Sequence, residues 1–353
     1  MFLISGIQQV GIGTEHFTDS WKWYADMFQM NIKILEDDTV AERMLKYTGN
    51  APQKRHACIT INMQGGGGFE IWQYSQRTPQ TIPFTIYLGD LGIFATKLKC
   101  TNIQAFHHEL NTKYDKVSSI TIAPGGAQTF WVEDPWGNFF QVIEHRDIYR
   151  NMDYLSGGVL GVFIGVSNIE QSLTVYRDIL GYDQIIYDKT DSFDDWSIMP
   201  GHGERFRRML LTHSKPRQGA FSELLGKSYI ELVSAIDRHP RKIYEGRYWG
   251  DPGFIQLCMD VVNMKELDKF CKQKGFPFLV DSCPGDIRFD MGDASGHFTY
   301  IEDPDGTLIE FVETHRIPIL KKLGWYINLQ KRDTTKPLPH WLLSCLRWNK
   351  VKF

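Results

Sequence analysis

The chain lacks the marks of several large protein classes. Its 353 residues hold only six cysteines, Cys58, Cys100, Cys258, Cys271, Cys283 and Cys345, and no Cys-x-x-Cys pair. That excludes a dense disulfide framework and reads as free, mostly buried thiols of a reducing compartment. No apolar run reaches the roughly 18 residues that a spanning helix needs. The start, MFLISGIQQVGIG, has neither a basic segment nor a long apolar stretch, so no signal peptide is expected. The expected location is the cytoplasm.

Charge of one sign is also scarce. The formal net charge is −3, which argues against a nucleic-acid partner. The distribution is uneven, however. From His315 to Phe353 nine Lys or Arg stand against Asp333 alone, a tail of +8, which leaves −11 on residues 1–314.

What is present is repetition. Residues 131–144 (WVEDPWGNFFQVIE) match 300–313 (YIEDPDGTLIEFVE), each a β-rich run, an Asp-Pro-x-Gly turn and a second β-rich run. Pro at the second turn position and Gly at the fourth suit a type I turn, so each reads as a hairpin. Residues 9–24 (QVGIGTEHFTDSWKWY) match 161–176 (GVFIGVSNIEQSLTVY), a short strand passing through a polar turn into a helix. DLGIFATKLKCTNIQAF (90–106) matches DPGFIQLCMDVVNMKEL (251–267), again strand, Asn and helix. Four modules follow, at about 6–75, 91–145, 158–235 and 252–313. The fold class is therefore α+β, with four βαβββ modules in two paired-module domains. The expected divisions are 1–150 (modules one and two), 151–314 (modules three and four) and a basic arm, 315–353.

A module ending in Asp-Pro-x-Gly-x-x-x-Glu, here Asp303 to Glu310, resembles the vicinal oxygen chelate superfamily of glyoxalases, bleomycin-resistance proteins and extradiol dioxygenases. The resemblance covers residues 6–313 and implies cup-shaped mixed β-sheets. It also implies a divalent metal held by a first-strand residue and a last-strand Glu of each module. Carried over position by position, these are Gln9 and Glu70, Ala95 and Gln141, Gly161 and Glu231, and Gln256 and Glu310. In the four-module dioxygenases the second half carries the working metal, so Glu231, Gln256 and Glu310 are the expected ligands. Gln9 and Glu70 would be a second site or a relic. Tyr300, ten residues before Glu310, is the expected catalytic group, donating to substrate oxygen.

No first-strand histidine is present. A facial Fe(II) triad needs two imidazoles and a carboxylate, so standard extradiol chemistry is disfavoured. Two carboxylates plus an amide oxygen make a hard site for Mg²⁺ or Mn²⁺, with Zn²⁺ or Ni²⁺ open if His297 contributes and Fe²⁺ if other histidines move in. The resemblance implies a metal-dependent lyase, isomerase or ring-cleaving oxygenase acting on a small oxygenated molecule. The alternative is a metal-free small-molecule-binding protein of the resistance type.

The run Gly65–Gly68 lacks the Lys-Ser/Thr of a phosphate loop and reads as a tight turn. In Arg205-Phe206-Arg207-Arg208, the first and third positions share a strand face and could clamp an anion, or simply face water. The tail places Trp341, Cys345 and Trp348 on one helical face, a stripe expected to pack on the acidic body, with at most weak membrane contact.

Overall fold

In a computed structural model of the chain, residues 1–283, 289–290, 295–320 and 325–353 are described. Lys321 and Lys322 of the basic tail lie outside them. Module one comprises β1 (Leu3–Gly13), α1 (Phe17–Phe28), β2 (Ile32–Val40), β3 (Lys54–Ile61) and β4 (Gly68–Tyr74). Module two comprises β5 (Gly92–Cys100), α2 (Ile103–Lys113), β6 (Thr121–Ile122), β7 (Gln128–Glu133) and β8 (Phe139–Glu144). Module three has β9 (Ser156–Gly165), α3 (Ile169–Leu173), β10 (Gln184–Asp191), β11 (Phe206–Thr212), the short α4 (Ser222–Leu225) and β12 (Tyr229–Ala235). Module four has β13 (Gly253–Val262), α5 (Met264–Gln273), β14 (Val280–Asp281), β15 (Phe289–Asp290), β16 (Ser295–Glu302) and β17 (Leu308–Leu320). The arm adds β18 (Trp325–Asn328) and α6 (His340–Ser344).

Local chemistry sets these elements. Asn102 and Asn168 cap α2 and α3, each side chain accepting from the backbone N–H three residues on. The two Asp-Pro-x-Gly turns close as hairpins. Asp134 Oδ1 accepts from the N–H groups of Trp136 and Asn138, and Asp303 Oδ1 from those of Asp305 and Thr307. Gly137 and Gly306 take φ of 87° and 94°, the left-handed region that favours glycine.

The strands form two mixed sheets, in the orders β14-β16-β17-β13-β1-β4-β3-β2 and β10-β11-β12-β9-β5-β8-β7-β6. At their centres β1 runs antiparallel to β13, and β5 antiparallel to β9. Module one therefore shares a cup with module four, and module two with module three. The expected pairing of chain neighbours is not the one the strands make. The physical reason is that all four first strands are apolar and need partners on both edges, so their pattern does not specify which module supplies the second edge. The helix-bearing faces of both sheets meet in one core, including Phe28, Phe69, Phe106, Phe140, Tyr176 and Phe311.

The arm packs on the body, as expected, but with a different face. Leu329, Leu338 and Leu343 are buried against Ile32, Ile61, Met63 and Leu224. Trp341 and Trp348 are 68% and 73% exposed and Cys345 is half-buried, so both rings of the stripe point to water. The α6 turn is short and pinned by Leu338 and Leu343, which fixes the opposite side inward. Five of the six cysteines are buried, and all six are unpaired. Among the described residues no helix is long and apolar enough to cross a membrane.

Candidate functional site

The cup of modules one and four gathers Gln9, Glu70, Gln256 and Glu310. Glu70 stands beside Gly11 in the β1–β4 pairing, and Glu310 beside Cys258 in the β13–β17 pairing. Gln9 and Gln256 lie two residues earlier on their strands, hence on the same faces as those neighbours. Gln256 Nε2 donates to Glu70 Oε2 at 2.8 Å, and Gln9 Nε2 approaches the same oxygen at 3.5 Å. The Trp249 indole N–H donates to Gln256 Oε1 at 3.0 Å and fixes that amide. Gly11 makes room for it, since a Cβ there would stand 2.7 Å from the amide carbon and oxygen.

The electrostatics are strained in one direction. Burial first, and the nearby Glu70 charge second, push Glu310 up to about 8. Burial also raises Glu70, against the lowering pull of Arg55. Burial and the Glu310 charge push the Tyr300 hydroxyl and the Cys258 thiol well above their usual ranges, so both hold their protons beside Glu310. Tyr300, Cys258 and Gln256 hydrogen-bond to the Glu310 carboxyl, while its Oε2 and Gln9 Oε1 are buried without a hydrogen-bond partner of their own. A buried polar atom without a partner is costly, and two carboxylates with the free amide oxygen of Gln9 and the singly bonded one of Gln256 fit a hard divalent cation. Trp72, Tyr74, Trp249, Tyr300 and Met44 wall this side of the sheet, with Trp72 and Trp249 edge to face at 4.7 Å.

Glu231 is elsewhere. It lies on β12 in the other sheet, so it does not join Gln256 and Glu310 as the sequence led us to expect. Lys97 Nζ meets it at 2.6 Å, Arg208 Nε at 2.7 Å and the Tyr187 hydroxyl at 2.6 Å. Gln9 and Glu70, expected as a second site or a relic, instead lie in the same cup as Gln256 and Glu310. Tyr300 pairs with Glu310 across β16 and β17 and is buried. His297 is an odd number of residues from Tyr300, faces away, and pairs with Asp281 at 2.6 Å. Arg205 and Arg207 form surface ion pairs with Asp237 and Asp188, and the buried arginine is Arg208. Among the described residues no three His, Cys, Asp or Glu side chains gather as a metal group, because half of this set is amide.

Sequence reasoning missed Gly11, Trp249 and Lys97, and in the arginine cluster it favoured Arg205 and Arg207 over the buried Arg208. Lys97 and Lys99 alternating inside the otherwise apolar strand IFATKLKC were a legible signal of buried cations.

No family profile matches the sequence, and no curated protein matches it. Solved structures do. A glyoxalase I mutant from Zea mays is 14% identical over 89% of this chain and 92% of that one, with a TM-score of 0.52. A putative dioxygenase from Bacillus subtilis is 12% identical over 99% and 98%, also at 0.52. Glyoxalase I itself from Zea mays is 13% identical over 89% and 92%, at 0.50. At these identities the likeness is one of fold. The chain has a four-module, two-cup fold like that of these glyoxalase and dioxygenase structures, as the modules led us to expect.

Proposed function

We propose that the chain is a divalent-metal enzyme of the vicinal oxygen chelate type, with its centre in the cup of modules one and four. Gln9, Glu70, Gln256 and Glu310 would hold the ion, two through amide oxygen and two through carboxylate. The observation that carries this reading is their convergence with buried acceptors left over at Gln9 and Glu310. When bound, the ion would supply Lewis-acid stabilisation of negative charge on a substrate oxygen.

The chain's own residues supply the rest. Tyr300 keeps its proton on the hydroxyl and can donate it to an oxygen of the substrate. A glutamate in an apolar surrounding can accept a proton from carbon, and Glu310 is the better buried of the two. Trp72, Trp249 and Tyr300 exclude water on one side. With no imidazole in the set, proton transfer next to a carbonyl (isomerase or lyase chemistry) fits better than oxygenative ring cleavage. The substrate class is a small molecule with two neighbouring oxygens.

One observation favours the metal-free binding alternative, since both amide groups turn their N–H toward Glu70. Metal analysis of protein purified without chelator decides between them. The enzyme reading expects one divalent ion per chain, lost in Glu310→Ala together with the thermal stabilisation it confers. A wild-type protein that takes up no divalent ion after reconstitution contradicts it.

A further inference from the structure

The second cup repeats the geometry of the first with different side chains. Gln141 and Glu231 stand where Glu70 and Glu310 stand, at the matching register beside Lys97 and Phe163. Ala95 and Gly161 replace the two amides. An amide at 161 is sterically barred, because a Cβ there would lie 2.2 Å from the Tyr229 carbonyl oxygen. In place of those ligands Lys97 turns into the cup. Its Nζ lies 2.7 Å from Gln141 Oε1, 2.6 Å from Glu231 Oε2 and 3.6 Å from the centre of the Phe163 ring. Arg208 takes the other Glu231 oxygen and also binds Asp195 at 2.6 Å. All of these polar side chains are buried.

We infer that the Lys97 ammonium is a built-in cation filling the second cup's cation site, so that this cup is closed to free ions. The charge count supports it. Lys97 and Arg208 offset Glu231 and Asp195, which leaves the buried cluster neutral. An ammonium is compact and offers three donors in any direction, as a small ion would, whereas the planar guanidinium of Arg208 must approach from the side. The ring of Phe163 completes the shell, as aromatic faces do for cations. This inference does not depend on the first cup binding metal.

Two measurements test it. Removing the lysine charge leaves a net buried anion, so Lys97→Met should lower the unfolding midpoint by roughly 5–15 °C. Adding Glu231→Gln to Lys97→Met removes that anion and should recover most of the loss. Lys97→Ala leaves a cation-sized space, and methylammonium chloride should then raise its midpoint well beyond an equal concentration of sodium chloride. Wild type and Lys97→Met should show no such preference. The inference is overturned if Lys97→Met is as stable as wild type, if the double variant is no more stable than Lys97→Met, or if methylammonium and sodium act alike on Lys97→Ala. Failure of the proposed metal centre would appear elsewhere, as a wild-type chain without bound ion.

Discussion

The Tyr24 hydroxyl donates to Asp134 Oδ2 at 2.6 Å, joining the helix of module one to the hairpin of module two. The same contact recurs in the other half, where Tyr176 donates to Asp303 Oδ2 at 2.8 Å. Each half of the chain is thus tied through a helix and a hairpin, while the sheets are shared across halves. Burial raises both aspartates to about 6, and the tyrosine bonds pull against that rise. Tyr24→Phe should therefore cost about 1–3 kcal/mol by leaving a buried carboxylate short of a donor, with Tyr176→Phe alike. Denaturant unfolding of the two single variants checks it, and a neutral result for both would deny the pair a structural role.

The two cups make opposite predictions for their glutamates. Glu70→Gln and Glu310→Gln should each abolish or sharply weaken divalent-ion binding, because each removes one of only two anionic donors. Glu231→Gln should leave ion binding intact while lowering stability, since it leaves Lys97 and Arg208 with only Asp195 as a buried counter-charge. Ion content by elemental analysis, read beside the unfolding midpoint, separates the two effects. Equal loss of ion from all three would erase the distinction between the cups.

His213 gives a pH dependence. Burial first, then the charge of Arg217, lowers it from 6.5 to about 4. The unfolded chain then binds more protons between those values, so this group's contribution to stability falls as pH drops from about 6.5 to 4 and is flat above. His213→Gln should flatten the stability curve in that window. An unchanged slope would place the pH dependence on other groups.

The arm separates buried from exposed apolar side chains within a few residues. Truncation after Thr334 removes Leu338 and Leu343 and uncovers Ile32, Met63 and Leu224, so it should lower the midpoint and increase binding of a hydrophobic dye. Trp341→Ser with Trp348→Ser should change stability by no more than about 0.5 kcal/mol, since both rings already face water. A large loss from the tryptophan pair would show that the exposed stripe packs in solution.

Much of this was legible in the chain. The modules and the hairpins at Asp134 and Asp303 follow from local pattern, and the resemblance picks out Gln9, Glu70, Gln256 and Glu310 on the first and last strands. What local pattern does not carry is which first strand lies against which. β13 could pair with β9 or β1 with equal hydrophobic satisfaction, and that choice decides whether Glu310 meets Glu231 or Glu70. The tail stripe failed for a related reason. Helical spacing marks which residues share a face but not which face turns inward, and here Leu338 and Leu343 prevailed over two larger rings.

The most direct test of the central claim is the anomalous difference density of crystals grown or soaked with Mn²⁺. The account predicts one strong peak, bounded by Gln9, Glu70, Gln256 and Glu310, with none beside Lys97. A peak at Glu231, or none in the cup of modules one and four at saturating Mn²⁺, would contradict it.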